Sequence, residues 1–509
     1  MENQSQPTRY FASPMTRPSM DAGRWKKAAT GSARLLRKRD RLVQIELRLL
    51  FAVTVAAAFS LAVYAISNFF GEQNVTGRAF LTVGFGINVG LLTYAVISNG
   101  DRIFLITVCI YNTLFLLLPA IFQSAAQRFP FFSVGYNQST VTICALIVIV
   151  FSVCFATAYF FVRERGQGID KTLRTVPMSA SRSTLLVFVL MGLSLIAFFY
   201  LGASYYTGRR GDVDFDTSPI GMMVPALGRA ASFFAVALAI ILTADRRRKR
   251  YAMLSIVAIA VFFLLNNPIN MSRAYFLGPV IALGLIFFNT RSLTAKIVVC
   301  LIFLVGVTTI FPFLSNVSRG DPGAPLLEDP IIYYTTSGDF DGFQSIMNVF
   351  LMVSAKGVSY GAHLLSDIFF FVPRTSWPTK AMGTGGEAAI YSGYPWTNVS
   401  APLPAEFLVD FGWIGVIFGA GAVGYLCARL ERVIERAIRT NSKLDRLVPA
   451  IAASYVPIVM RGSLLGIIGP VALGIVMGFI LRYLCKESQP ADGGSRPLLR
   501  LAPSTGGMR

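Results

Sequence analysis

The stretch Thr140–Val162, TVTICALIVIVFSVCFATAYFFV, holds no charged side chain over 23 residues. A helix rises 1.5 Å per residue, so a run of this length matches a bilayer's hydrocarbon core of about 30 Å. Read outward with the same window, the chain offers about twelve such segments: 49–70, 79–98, 103–122, 140–162, 184–202, 221–244, 251–267, 274–289, 297–314, 405–428, 447–461 and 463–484. The seventh, eighth and eleventh are short or interrupted by proline. Composition agrees: 54% of the 509 residues are hydrophobic and 14% charged, against roughly 25% charged in soluble domains. The expectation is an all-α polytopic membrane protein, which excludes disordered, fibrous, disulfide-scaffold and cytosolic-enzyme classes.

Lys and Arg orient the spans, because cytoplasmic loops accumulate them. With the N-terminus inside, 35 of the 46 Lys+Arg fall on inner segments and ten on outer ones, with Arg229 inside a span. Both termini are therefore expected to be cytoplasmic. The net charge of +20 is mostly a property of that face, where Arg34–Arg41 and Arg246–Arg250 suit anionic membrane lipids. A nucleic-acid partner is not expected. Residues 1–48 and 485–509 are basic or rich in Pro, Ser and Gly and read as disordered tails. They flank a single transmembrane domain at 49–484.

One loop stands out. Residues 315–404 form a long outer segment, a length that usually marks function. Phe340, Phe343, Met347, Phe350 and Leu351 recur at helical spacing, as do Leu364, Leu365, Ile368, Phe369 and Val372. These predict two helices that lie on the membrane or fold back over the spans. Trp377, Trp396, Tyr391 and Tyr394 supply aromatic faces suited to stacking on sugar rings; an interfacial aromatic belt is the plain alternative.

The charged residues of the outer side carry the candidate chemistry. Arg273 sits in the polar hairpin Asn266–Arg273, and Arg374 follows an apolar run stopped by Pro373. Arg229 lies within a span, where ionisable groups are expensive and usually functional. With Arg319 and Lys380 they are candidate diphosphate ligands, since guanidinium pairs bidentately with phosphate. Snorkelling to lipid headgroups is the alternative. Glu406 and Asp410 are four apart and share a helix face; either, or His363, the only histidine, would serve as a general base. Asp339 and Asp341 are further acidic candidates, and Asp341 is equally suited to cap the following helix. The six Cys show no C-x-x-C spacing, so neither a disulfide framework nor a metal site is expected. No Walker A, G-x-G-x-x-G, H-E-x-x-H or G-x-S-x-G pattern is present.

These residues carry a resemblance. Asn270-Met271-Ser272-Arg273, then Gly338-Asp339-Phe340-Asp341-Gly342-Phe343, the run Phe369 to Lys380 (FFFVPRTSWPTK), Asn398-Val399-Ser400-Ala401-Pro402, Glu406 and Phe411-Gly412-Trp413-Ile414-Gly415 resemble the bacterial Wzy-type oligosaccharide repeat-unit (O-antigen) polymerases. The specific motifs lie within about 266–415; the rest matches as a pattern of spans. The resemblance implies a GT-C-like, inverting, metal-independent glycosyltransferase of the bacterial cytoplasmic membrane, without cofactor. It would join undecaprenyl-diphosphate-linked oligosaccharides on the outer face, alongside a flippase and a chain-length regulator of the same pathway. A lipid-linked oligosaccharide flippase, an O-antigen ligase and a scaffold subunit of an export complex remain the alternatives.

Overall fold

The structure, a computed structural model, describes residues 22–131, 136–165, 177–208, 219–268, 270–310 and 330–487. Its contacts divide the chain into two units, Met1–Phe51 and Ala52–Arg509. In the first, helix α1 (Ala22–Ser67) begins well inside the stretch whose composition suggests disorder. Its Lys, Arg, Leu and Ala are strong helix formers, and that local preference outweighs the charge density.

The second unit is built from α2 (Val75–Ile97), α3 (Ile103–Ala126), α4 (Gln138–Arg165), α5 (Ala180–Leu201), α6 (Pro219–Arg246), α7 (Lys249–Leu265), α8 (Arg273–Phe287) and α9 (Leu293–Val305). The long loop then contributes α10 (Pro330–Thr336), α11 (Gly342–Lys356), α12 (Ala362–Ile368) and α13 (Thr384–Tyr391). The chain closes with α14 (Leu403–Arg439), α15 (Lys443–Arg461) and α16 (Leu464–Leu484). Among the described residues there is no strand beyond one isolated bridge, Met178 to Lys486.

Among the described residues eight helices are long and apolar enough to cross a membrane, which makes the protein an all-α polytopic membrane protein. The remaining four expected spans fall on α7, α8, α9 and α15. The first three have 17, 15 and 13 residues, and α15 contains Pro449, Pro457 and four charged side chains.

The core forms where α14 lies along α4, α5 along α6, and α8 along α15. At Gly424 of α14 a Cβ would stand 2.3 Å from the Phe155 carbonyl oxygen, so only glycine permits that approach of α14 to α4. Asn88 joins three helices: its amide donates to Ser152 Oγ at 3.0 Å and its carbonyl accepts from Asn112 at 3.0 Å.

Three local departures from regular helix position the site. Tyr111–Leu117 within α3 and Gly306–Ile310 after α9 are π-helical, a form that re-aims side chains and recurs at functional sites. In α14 the backbone turns at Gly412, φ 60° and ψ −143°, a conformation that costs L-residues dearly. This turn separates a short leading helix, with Glu406 and Asp410, from the long span behind it.

The loop helices fold back over the bundle. Phe343, Ile346, Met347 and Val349 of α11 are fully buried, packed against α14, α13 and α4. The second expected loop helix is short: α12 stops at Ile368, where the chain turns through Phe369–Val372.

Candidate functional site

A cavity of about 1470 Å³ opens beneath the loop. Its lining is polar in part, with Asp339, Arg374, Trp396, Asn398, Ser400 and Arg461. It is apolar elsewhere, with Leu277 and Ile281 of α8, Ile302 and Phe303 of α9, and Ile467 of α16. Ile302 is half exposed, so part of the apolar lining also reaches the outer surface of the protein. Tyr111 and Phe115 from the first π segment, and Gly306 and Ile310 from the second, belong to the same wall.

Two guanidiniums line this cavity. Arg374 is exposed and donates to the Lys380 and Ala381 carbonyls, the latter at 2.9 Å. Arg461, in the last turn of α15, donates to the Gly338 carbonyl at 2.8 Å and to Asp341 Oδ1 at 3.2 Å. Arg461 was only one of several outer cations in the sequence. Its signal was position: it stands in Arg461-Gly462-Ser463, the break between two helices.

Lys380 does something else. It is buried, and its Nζ donates to the carbonyls of Phe369, Phe370 and Val372 at 2.9–3.0 Å. An ammonium has three protons, so none is left for a diphosphate. Lys380 closes the turn after α12. Arg229 lines a separate, smaller cavity. Arg273 is the first residue of α8, but its side chain, like all of Arg319, lies outside the described residues.

The carboxylates divide in the same way. Asp339 lines the large cavity and accepts from Tyr333 Oη at 2.7 Å. Asp341 is buried and accepts from the Ser400 hydroxyl at 2.7 Å and its amide at 3.1 Å, besides Arg461. It makes no side-chain cap to α11. Its work is to hold Arg461 and the Asn398–Ser400 rim together. Glu406 stands behind the cavity wall, accepting from the Thr384 hydroxyl and, at 2.8 Å, from the Leu464 amide. Asp410 receives the amides of His363 and Leu364 at 3.0 and 2.8 Å and the Ser359 hydroxyl at 2.5 Å. These two acids tie α14 to α12, α13 and α16, and neither borders the cavity.

His363 is buried between two acids. Nε2 is 2.9 Å from Glu387 Oε2; Nδ1 is 3.0 Å from Ser359 Oγ and 3.7 Å from Asp410 Oδ1. Burial opposes its charge, but the Asp410 and Glu387 carboxylates prevail and push its pKa up to about 9. Near neutral pH it is therefore an imidazolium, without a lone pair to accept a proton, which counts against a role as base. The same contact, foremost the His363 hydrogen bond, holds Glu387 below the usual carboxylate range. Asp367, one turn on, was not singled out by the sequence because it sits in an apolar run. It is buried, and burial, reinforced by Asp410, pushes its pKa up to about 7.

Of the four aromatic candidates, Trp396 borders the cavity, partly exposed. The Tyr394 ring stacks behind it at 5.9 Å, and Phe131 meets it edge-on at 5.7 Å. Tyr394 Oη is buried against Gln344 and Asn348. Tyr391 lies under Lys356 Nζ, and Trp377 donates to Thr379 Oγ1, both away from the cavity. Among the described residues no group of three or more His, Cys, Asp or Glu is arranged to hold a metal ion.

No protein-family model, curated protein or solved structure matches this chain.

Proposed function

We propose that the protein is an oligosaccharide repeat-unit polymerase of the bacterial cytoplasmic membrane, a GT-C-like glycosyltransferase with twelve membrane segments, cytoplasmic termini and an outward-facing cavity. One observation carries this reading: a single cavity joins two guanidiniums and a tryptophan face to an apolar slot beside α8 and α9. That is the complement of an amphiphile with an isoprenoid tail, a diphosphate and a sugar chain. Arg374 and Arg461 would take the charge that develops on the diphosphate as the glycosidic bond to it breaks. Trp396 would carry a sugar ring. Asp339, the carboxylate on the polar wall, would accept the proton of the attacking hydroxyl of the second lipid-linked unit, giving inversion at the anomeric carbon. Glu406, Asp410 and Asp341 serve as positioning residues, and undecaprenyl diphosphate leaves along the apolar slot.

The decisive test is the length distribution of surface glycan in cells lacking the gene, complemented with wild type or Arg374→Ala. A ladder restored by wild type, with one repeat unit left on the acceptor by the variant, is the expected result. Lipid-linked units trapped on the cytoplasmic side would replace the polymerase with a flippase. Loss of all transfer to the acceptor, with polymer still made on the lipid, would replace it with a ligase.

A further inference from the structure

Arg229 is the one charged side chain of α6 between Met223 and Ala244. It stands about six residues, roughly 9 Å, inside the apolar stretch that starts at Met223. Its Nε donates to the Leu265 carbonyl at 3.2 Å and its Nη2 to Asn270 Oδ1 at 2.9 Å. The rings of Tyr205 and Tyr206 lie 6.0 and 5.7 Å from its guanidinium carbon. All these partners are neutral. Among the described residues no carboxylate pairs with Arg229, whereas Arg163 and Arg461 both have one. A guanidinium at membrane depth without a counter-ion is costly, and an anion that arrives with its own apolar body is the natural complement.

The space for such a ligand is present. Arg229 borders a cavity of about 460 Å³, within the usual range for small-ligand sites. Asn270, Ser272 and Tyr275 add polar groups at one side, and Phe233, Pro279 and Leu473 are among its apolar walls. Met271, Ser272 and Tyr275 border the large cavity as well, so the start of α8 is a partition between two chambers. The Tyr275 hydroxyl reaches the Gly466 carbonyl at 3.3 Å across that partition.

We infer that the smaller cavity is a second anion site, which takes the phosphate head of an amphiphile on Arg229 independently of Arg374 and Arg461. Guanidinium and the polar rim hold the phosphate; the apolar wall takes the first carbons of the chain. The inference stands apart from glycosyl transfer, since it concerns binding alone.

Native mass spectrometry of the full-length protein in detergent tests it, with polyprenyl phosphate, phosphatidylglycerol, phosphatidylcholine and inorganic phosphate as probes. Wild type should retain a phosphate-bearing lipid that Arg229→Gln binds at least tenfold more weakly. Ala226→Phe, which fills the cavity and leaves Arg229 in place, should lose it too, and guards against misfolding of the Gln variant. Arg374→Gln should retain it. Preference for polyprenyl phosphate over phosphatidylglycerol identifies an isoprenoid ligand, and the reverse a bulk lipid. Displacement by millimolar inorganic phosphate identifies a free-phosphate site. Equal retention by wild type, Arg229→Gln and Ala226→Phe overturns the inference, as does equal binding of phosphatidylcholine. Failure of Arg374→Ala in the glycan assay bears on the polymerase reading and leaves this one untouched.

Discussion

Glu431, in the last third of the long α14, and Arg374, after the short α12, are charged side chains at opposite ends of the bundle. Glu431 is wholly buried; it accepts from the amides of Phe104 and Leu105 at 3.0 and 3.2 Å and from the Tyr159 hydroxyl, and it forms an ion pair with Arg163 at 3.3 Å. Around it Arg102 donates to Tyr159 at 3.2 Å, Arg163 pairs with Glu435 at 3.0 Å, and Thr290 donates to Asp101 at 2.5 Å. There, acids and bases answer one another. At the loop end Arg374 is exposed and meets only backbone carbonyls, while Arg461 is paired with Asp341 and Asp339 lies on the same wall. A buried network of acids and bases holds helices together; an exposed cation with only carbonyl partners is open to a ligand.

That contrast is open to attack from either side. The largest effect should come from Arg374→Ala or Arg461→Ala, each lowering polymer yield by about 10²–10³-fold, the cost of removing one donor to developing charge. Thermal unfolding of purified Arg374→Ala should change little, whereas Arg461→Ala, which leaves buried Asp341 without its cation, should also lower the unfolding temperature. Lysine at Arg374 should rescue poorly, because it lacks the planar fork. Glu431→Ala should do the reverse. Losing one partner of a buried pair costs about 3–5 kcal/mol, read as a fall in unfolding temperature and in membrane yield. A stable Glu431→Ala protein with lost activity would put chemistry at both ends and dissolve the distinction.

The His363 cluster gives a test in pH. Its raised pKa means that the contribution of imidazolium to stability is complete below about 6.5, its unfolded value. It is then lost as pH rises through about 9. Asp367, also raised, acts in the same direction at lower pH: its protonated form is favoured by folding, and that contribution fades between about 4 and about 7. Hydrogen exchange of residues 359–368 should therefore quicken in two steps as pH rises. His363→Gln should abolish the upper step, and Asp367→Asn the lower. The smallest effects concern the aromatic residues: Trp396→Ala should cost about 0.5–1.5 kcal/mol of stacking, read as a roughly two- to twelvefold rise in KM. Tyr391→Ala and Trp377→Ala, away from the cavity, should change it less than about twofold, the usual outcome for surface substitutions without a buried partner.

Much of this layout could be read in the chain. Runs such as 140–162 left no other solvent than lipid, and the patterned apolar residues of 340–351 announced α11. Arg374 and Trp396 stand out in the sequence by residue type and surroundings, and both border the large cavity. What was hidden follows from one cause: hydrogen-bond saturation is a property of three-dimensional neighbours. Lys380 and Arg461 are equally basic on paper, yet three carbonyls absorb the first and the second lines the cavity. Asp341 and Asp339 are two residues apart, and burial against Ser400 makes one a pin while the other faces the cavity. The spans fared unevenly for a related reason. Helix α8 has 15 residues and carries Pro279, and α9 passes at Gly306 into the π segment, so a hydropathy window does not mark where their regular helix stops.

The turn at Gly412 divides α14 into two rotational registers. A helix advances about 100° per residue, so in an unbroken helix any slip of the span against the bilayer would swing Glu406 and Asp410 off their partners. With the backbone broken at Gly412, the leading helix takes its register from the Thr384 hydroxyl and the Leu464 amide. The span behind it takes its own from the close approach to Phe155 at Gly424. One glycine thus lets a single chain segment answer two separate sets of neighbours.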